Sequence, residues 1–208
     1  MTIFLLYFLP FLLFILSSKR ICYFLIPIAI IVSSDATSQV TADFTTVNGS
    51  TGCGSLIVDF QDLSTGNPTT WLWDFGNGNT SNQRNPIAVY SNPGVYDVVL
   101  RVSNSTSNDI KVSNAFVSVY EEPVAGIFSS SNLVGCNSVT IDFEDVSSSN
   151  SVFTNWQWDF GDGGSSFQQD PVYSYVNTGL FTVSLIVTDI NGCQNMIIEN
   201  NMVQVDNK

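Results

Sequence analysis

Apolar and polar residues alternate along several stretches of the chain. In "GLFTVSLIVTD" (179–189) every second residue is apolar, and "GVYDVVLRVSN" (94–104) repeats this pattern. A period of two is typical of half-buried β-strands. The predicted inward-facing residues are Tyr96, Val98, Leu100, Val102, Phe181, Val183, Leu185 and Val187, with Val58, Phe60, Ile141 and Phe143 in two further strands. Beyond residue 38 no apolar period of 3.6 persists for more than two turns, which predicts an all-β fold.

The chain contains two copies of one unit. "WLWDFGNGNTSNQRNPIAVY" (71–90) returns as "WQWDFGDGGSSFQQDPVYSY" (156–175), "IVDFQDLS" (57–64) matches "TIDFEDVS" (140–147), and Cys53 matches Cys136. A full-length internal repeat indicates two domains of similar structure. We expect domain 1 over residues 39–121 and domain 2 over 122–208, each a β-sandwich of about seven short strands.

Each copy centres on a tryptophan, an aspartate and a glycine turn. Large aromatic side chains on one face of a strand are expected to pack between two sheets. Asn-Gly and Asp-Gly steps tolerate the positive φ angles that a tight hairpin needs, and the aspartate is expected to fix the adjoining loop. The motif and core residues are Trp73, Asp74, Gly76 and Gly78 in the first copy, and Trp158, Asp159, Gly161, Asp162 and Gly163 in the second.

This motif, followed by a proline, a tyrosine, a glycine turn and an alternating strand, resembles the polycystic-kidney-disease (PKD) domain. The resemblance covers residues 40–206 and is most specific in the second copy, since the first has Asn77 in place of Asp162. It implies two tandem immunoglobulin-like sandwiches in an exported surface protein of the kind that is common in bacteria. Such modules serve in adhesion, in contact with a ligand or polymer, or as spacers beside catalytic domains. Fold alone does not decide among these roles.

Residues 1–38 differ from the rest of the chain because they are almost wholly apolar. Lys19 and Arg20 precede an apolar run, and Ala36 and Ser38 provide small residues before Gln39. This pattern favours a cleaved secretory signal. The 18 residues before the two charges are unusual for a signal, so a retained anchor or a membrane hairpin is the alternative. The expected location is therefore secreted or at the cell surface, with membrane contact only through this segment.

Composition narrows the function further. The chain has no histidine, which excludes the catalytic triads and zinc sites that use one. The net charge of -12 disfavours contact with nucleic acids or anionic membranes. We therefore expect a non-enzymatic module with no catalytic residues, which contacts a protein or polysaccharide or acts as a spacer. The alternative is an accessory portion of a larger secreted hydrolase or adhesin.

The cysteines predict one disulfide. Cys136 and Cys193 fall in the same repeat of an exported protein, so the simplest pairing joins them. The position in the first unit that corresponds to Cys193 lies near Asn108, which leaves Cys53 without a partner in its own domain. For Cys53 we expect a buried thiol, a redox relic or a point at which another chain attaches.

Two further sets of residues are candidate binding sites. Asp145 and Ser147 resemble the loop at which some bacterial PKD domains hold calcium, and Asp62 and Ser64 correspond to them in the first unit. Oxygen ligands suit calcium, although the same side chains also suit turn capping. Trp71 and Trp156, two residues before the core tryptophans, are expected at the sandwich edge, either as an exposed ligand contact or as packing.

Overall fold

The computed structural model describes residues 39–208, which form sixteen β-strands and no helix. Within that range no helix is present that could cross a membrane. The predicted signal or anchor, residues 1–38, lies outside the described residues. The all-β fold class and the tandem sandwiches are confirmed.

The first domain contains eight strands in two sheets. The strands are β1 (Phe44–Thr46), β2 (Thr51–Cys53), β3 (Leu56–Asp62), β4 (Thr70–Asp74), β5 (Thr80–Ser81), β6 (Ile87–Tyr90), β7 (Gly94–Ser103) and β8 (Asn108–Tyr120). One sheet has the order β1-β3-β6 and the other β2-β8-β7-β4-β5. All neighbouring strands in these sheets are antiparallel except β2 and β8, which run parallel.

The second domain repeats this topology strand for strand. Its strands are β9 (Ile127–Ser129), β10 (Val134–Cys136), β11 (Val139–Asp145), β12 (Phe153–Asp159), β13 (Ser165–Ser166), β14 (Val172–Tyr175), β15 (Gly179–Asp189) and β16 (Gln194–Asp206). The sheet orders are β14-β11-β9 and β10-β16-β15-β12-β13, with β10 and β16 parallel. The repeat of the sequence is thus a repeat of every strand pairing.

Each domain encloses its own apolar core between the two sheets. The side chains of Trp73 and Trp158 are fully buried, and each indole N–H donates to a backbone carbonyl, of Gln83 or Gln168, over 2.9 Å. Most of the inward-facing strand residues predicted from the alternation are buried, and Tyr96 is partly buried. The cores are closed by aromatic contacts, such as Trp73 with Phe44 at 5.2 Å between ring centroids.

The motif turns adopt the conformation that their glycines permit. Gly76, Gly78, Gly161 and Gly163 all have positive φ angles, between 73° and 94°. Added β-carbons at Gly76 and Gly161 would lie 2.3 Å from the backbone oxygens of Asp97 and Thr182, so these two positions also require close approach of the neighbouring strand. The motif aspartates each accept a hydrogen bond from a glycine N–H, Asp74 from Gly76 at 3.0 Å and Asp159 from Gly161 at 2.9 Å.

A buried tyrosine closes each core next to the motif turn. The hydroxyl groups of Tyr90 and Tyr175 donate to the carbonyls of Phe75 and Phe160 over 3.1 and 3.0 Å. Burial, with nearby carboxylates and a second tyrosine adding to it, raises the pKa of both phenols well above the ordinary value. Both hydroxyls therefore stay protonated and remain hydrogen-bond donors throughout the normal pH range.

Replacing Tyr175 by Phe is expected to lower the free energy of unfolding of the second domain by about 1 kcal/mol, because the Phe160 carbonyl loses a buried donor. Urea unfolding followed by tryptophan fluorescence measures this. Tyr173→Phe is the matched control, since that hydroxyl bonds only to the exposed Asp162 and its loss should cost less than about 0.5 kcal/mol. Equal costs for the two variants would contradict the prediction.

Candidate functional site

A disulfide joins the two domains. Cys53 is bonded to Cys193, 140 residues later in the chain, with their Cα atoms 5.6 Å apart. As predicted, Cys53 has no partner in its own domain. The expectations of a buried thiol or of a point of attachment for another chain are wrong, because Cys53 is bonded to the neighbouring domain. The bond lies where the first sandwich ends and the second begins, which makes this junction the chemically distinctive site of residues 39–208.

The predicted pairing of Cys136 with Cys193 is wrong. Cys136 is exposed and unbonded to any described residue, and it lies opposite Asp206 at the last position of β16. Cys193 directly precedes the first residue of the same strand. Twelve residues of extended chain separate the two positions by roughly 40 Å, whereas a disulfide needs Cα atoms within about 7 Å. The two cysteines therefore lie at opposite ends of the second domain.

The turn that carries Cys193 is organised by a buried aspartate. Asp189 is 1% exposed, and one of its carboxylate oxygens accepts hydrogen bonds from the N–H groups of Asn191 and Cys193, both at 2.9 Å. Gly192, with a φ of 82°, makes the reversal between β15 and β16. Cys193 is itself only 1% exposed. This turn fixes the backbone of Cys193 at the position where it is bonded to Cys53.

Cys53 lies at the end of the short parallel strand β2. It is opposite Tyr120, the last residue of β8, and the N–H of the following residue, Gly54, donates to the Tyr120 carbonyl over 2.8 Å. Gly54 has a φ of 66°, and an added β-carbon there would meet the side chain of Glu122. The local fold therefore places Cys53 beside the start of the interdomain linker.

The linker itself is short and partly fixed. The second domain begins to pair at Val124, whose N–H donates to the Ser148 carbonyl over 2.8 Å. Between Tyr120 and Val124, the carboxylate of Glu121 accepts a hydrogen bond from the Asn150 side chain, and Pro123 is buried. The domains are thus joined by a few linker residues, a side-chain hydrogen bond and the disulfide.

A second arrangement recurs in both domains around the predicted calcium-binding aspartates. Asp62 is 6% exposed, and it accepts from the Ser64 N–H at 3.0 Å and from Arg84 Nε at 3.0 Å. In domain 2, Asp145 accepts from the Ser147 N–H at 3.0 Å and from the Trp156 indole at 2.7 Å.

These oxygens already have protein donors. The Ser64 hydroxyl accepts from the Asp43 N–H, and the Ser147 hydroxyl accepts from the Gly126 N–H. Within residues 39–208 no three Asp, Glu or Cys side chains converge to form a metal site. In this structure the two aspartate–serine pairs therefore serve to cap their turns.

The charge state of Asp62 follows from its contacts. Burial acts to raise the pKa of Asp62, but hydrogen bonds from Ser64 and Arg84 outweigh it, so the pKa lies below its ordinary value. Trp71 contributes to the same lowering, although its buried indole N–H makes no hydrogen bond of ordinary geometry to any described residue. Arg84, which sequence analysis did not single out, thus neutralises a buried carboxylate.

The two tryptophans predicted as ligand contacts are half-buried. Trp156 directs its N–H to Asp145, and one face of Trp71 is covered by the guanidinium of Arg84, 5.6 Å from the ring centroid. Beside Trp71 a groove of about 400 Å³ crosses the ends of three strands. Besides Trp71 it is lined by the apolar Leu72, Val102 and Ile110 and by the polar Thr70, Arg101, Ser103, Asn108 and Asp109.

Comparison with known proteins places both repeats in one family. The family model described as "PKD domain" matches residues 34–119 and again 120–205. The chain is 32% identical over 120 residues to the collagenase ColA of Clostridium perfringens, which covers 55% of this chain and 10% of that protein. It is 40% identical over 55 residues to a microbial collagenase of Vibrio alginolyticus, covering 26% of this chain and 7% of that protein.

Two solved PKD domains are similar as well. The PKD1 domain of Vibrio anguillarum Epp is 28% identical, with a TM-score of 0.37, and the match covers 43% of this chain and 99% of that one. The PKD1 domain of the Vibrio cholerae metalloprotease PrtV is 27% identical, with a TM-score of 0.36, and the match covers 41% and 98%. The sequence matches to the two collagenases, by contrast, cover only 10% and 7% of the length of those proteins.

Replacing Asp62 by Asn is expected to cost about 1.5–3 kcal/mol of unfolding free energy at neutral pH, because the charged hydrogen bond with Arg84 is lost. The folded-state pKa of Asp62 lies below its unfolded value, so the carboxylate stabilises the fold above about pH 4 and loses this effect as the pH falls through the folded-state pKa. The difference in unfolding free energy between wild type and Asp62→Asn should therefore become smaller below about pH 4.

Chemical denaturation at a series of pH values tests this prediction. Asp145→Asn is the matched control, because Gln169 occupies the position of Arg84 in the second domain and no ion pair is removed. A difference between wild type and Asp62→Asn that stays constant down to pH 2 would contradict the assignment.

Proposed function

The chain belongs to the PKD domain family, and on this basis we propose that its two domains form a non-enzymatic, extracellular accessory module that holds its neighbours at a fixed spacing. The observation that carries the proposal is the Cys53–Cys193 disulfide across the domain junction. In the larger secreted hydrolase or adhesin that we envisage, the module would separate a catalytic or binding part from its anchoring point.

An extracellular location is supported by the same bond. Disulfides persist in oxidising compartments and are rare in the reducing cytosol. Each domain has a complete apolar core of its own, so neither core requires the Cys53–Cys193 disulfide. The interdomain disulfide can restrain the two domains only in a compartment where it stays oxidised.

A spacer role is supported by the geometry of the joint. Two domains connected by a short linker alone are expected to move relative to one another. Here the second covalent connection closes a ring at the junction, because the sulfur bridge and residues 121–123 join the same two domain ends. The orientations open to the pair are therefore few.

The non-enzymatic assignment rests on the chemistry available. The chain has no histidine, and the motif aspartates Asp74 and Asp159 bond to their own turns. The collagenases that the chain resembles match over a small share of their length. This is consistent with an accessory portion of such a secreted hydrolase rather than with its catalytic part.

Contact with a protein or polysaccharide polymer is a second candidate function, favoured by the groove beside Trp71. The groove combines an indole ring and three aliphatic side chains with an arginine, two hydroxyls and one amide. This mixture suits a polymer that presents both apolar faces and hydroxyl groups. The guanidinium of Arg84 lies over the same ring, 5.6 Å from its centroid.

Loss of the interdomain bond is expected to loosen the joint without unfolding either domain. For the Cys53→Ser/Cys193→Ser variant of residues 39–208, small-angle X-ray scattering should show a larger radius of gyration and a broader distance distribution, while the circular dichroism spectrum stays that of two β-sandwiches. Cys136→Ser is the matched control and should match wild type. A scattering curve unchanged by the double substitution would refute the fixed spacing.

Trp71→Ala is expected to weaken binding to a neutral polysaccharide or a collagen fibre about two- to tenfold, in line with the loss of one aromatic contact. Co-sedimentation with a panel of insoluble polymers measures this. Trp156→Ala is the comparison variant, because it removes the equivalent indole of the second domain, whose N–H donates to Asp145. Binding that is absent, or insensitive to Trp71→Ala in a folded protein, would remove the contact function and leave the spacer.

A further inference from the structure

Cys136 lies in a local structure that matches that of Cys53. In the first domain Thr51, Gly52 and Cys53 pair in parallel with Ser118, Val119 and Tyr120. In the second domain Val134, Gly135 and Cys136 pair in parallel with Gln204, Val205 and Asp206. Each cysteine therefore ends a three-residue strand beside the last residue of its domain's final strand.

The residue after each cysteine extends the match. Gly54 and Asn137 have φ angles of 66° and 63°. Their N–H groups donate to the carbonyls of Tyr120 and Asp206, in both cases over 2.8 Å. The backbone thus turns in the same way at the two positions, and the two thiols lie at equivalent points of equivalent domain ends.

At the first of these ends the cysteine is already bonded to the domain that follows. The first domain therefore serves as a comparison structure for the second, and its cysteine shows what this local geometry binds: the buried Cys193 on the β15–β16 turn of the next domain. Cys136 is exposed and has no bond to any residue in the described part of the chain.

The two domains differ at the opposite end. The turn between β7 and β8, which corresponds to the turn carrying Cys193, spans Asn104–Ser107 and contains no cysteine. Domain 1 therefore has a cysteine only at its linker end, whereas domain 2 has one at each end. In the tandem array the disulfide therefore joins the end of the short strand in one domain to the hairpin turn of the domain that follows.

We propose that the Cys136 end of domain 2 is a docking site for a further PKD-type domain in tandem, joined through a disulfide as domain 2 is joined to domain 1. The partner would carry a cysteine on the turn between its two long strands, preceded at a spacing of four by an aspartate that caps the turn, as Asp189 does for Cys193. The proposal extends the spacer function by one domain and does not depend on any ligand bound at Trp71.

The bond requires a disulfide oxidant, such as oxidised glutathione. The Cys136 thiolate attacks one sulfur of the oxidant and releases one glutathione thiolate, which leaves a mixed disulfide. The partner's thiolate then attacks the Cys136 sulfur and releases the second glutathione. Two protein thiols are oxidised and one oxidised glutathione is reduced, and the two protons lost by the protein thiols are taken up by the two glutathione thiolates, which leave as thiols.

The test is the full chain with a second copy of residues 121–208 appended after Asp206, oxidised in a glutathione buffer. The appended copy carries Cys136→Ser, so that the fused chain has a single Cys136 peptide. After alkylation, digestion and mass spectrometry, most of the Cys136 peptide should be lost from the alkylated pool and found linked to the appended copy of Cys193. The Cys53–Cys193 link should be retained. Mixing the unfused wild-type chain with a Cys53→Ser/Cys136→Ser chain, which has a free Cys193, should give little of this link.

Control variants separate docking from chance oxidation. Cys136→Ser with Ser138→Cys moves the thiol two residues beyond the parallel strand, and the linked yield should fall at least several-fold. Cys136 left alkylated, bonded to Cys136 of another copy, or linked equally well in the unfused mixture would overturn the proposal. Loss of the Cys53–Cys193 link would show that the fused chain is misfolded. A second fusion, with a copy of residues 39–120 appended instead, has no cysteine on its turn, and in it Cys136 must stay free.

Discussion

The burial of one tryptophan between two sheets is the contact on which each domain depends. Trp73 and Trp158 are fully buried, and their indole N–H groups bond to carbonyls of the following loop. The same side chain therefore holds the sheets together and fixes the loop that leads back to the other sheet. Aromatic neighbours fill the remaining space, with Phe60 at 5.3 Å from Trp73 and Phe143 at 5.5 Å from Trp158. A small domain without this core would have too little apolar burial to fold alone.

Because each core is self-sufficient, the ends of the sandwiches are available for other roles. The end of domain 1 carries Cys53, and the turn of domain 2 carries Cys193 held by Asp189. The disulfide between the domains consequently joins two short peripheral elements, the strand β2 and one hairpin turn. Changes in the cores and changes in the joint should therefore affect different properties of the protein.

The fold could be predicted from sequence because its signals are local. Alternation with a period of two marks the long strands, and the repeated tryptophan motif marks the two domains. The three-residue strands β2 and β10 are too short to show a period, and their parallel pairing depends on contacts more than 60 residues away.

The disulfide was mispredicted for a related reason. Sequence places Cys136 and Cys193 in one repeat, but it does not show that they lie at opposite ends of the folded domain. The partner of Cys53 depends on how two domains meet, which no pattern within one repeat encodes. The Asp62–Arg84 ion pair was missed for the same reason. Its two members are 22 residues apart, and the chain between them passes through the other sheet. The sequence did contain one signal against the predicted pairing. Cys53 and Cys136 occupy equivalent positions in the two repeats, whereas Cys193 has no equivalent in the first repeat.

The position of the interdomain bond also has a mechanical consequence. A pulling force applied to the flanking parts of the chain would pass from Cys53 directly to Cys193 through the sulfur atoms. The intervening chain, spanned by a sequence separation of 140 residues, would carry no tension, although extended it would reach roughly 460 Å. Only the segments outside the bridge could lengthen under load. The strands between the two cysteines, β3 to β15, would therefore be shielded from the load in a protein under tension.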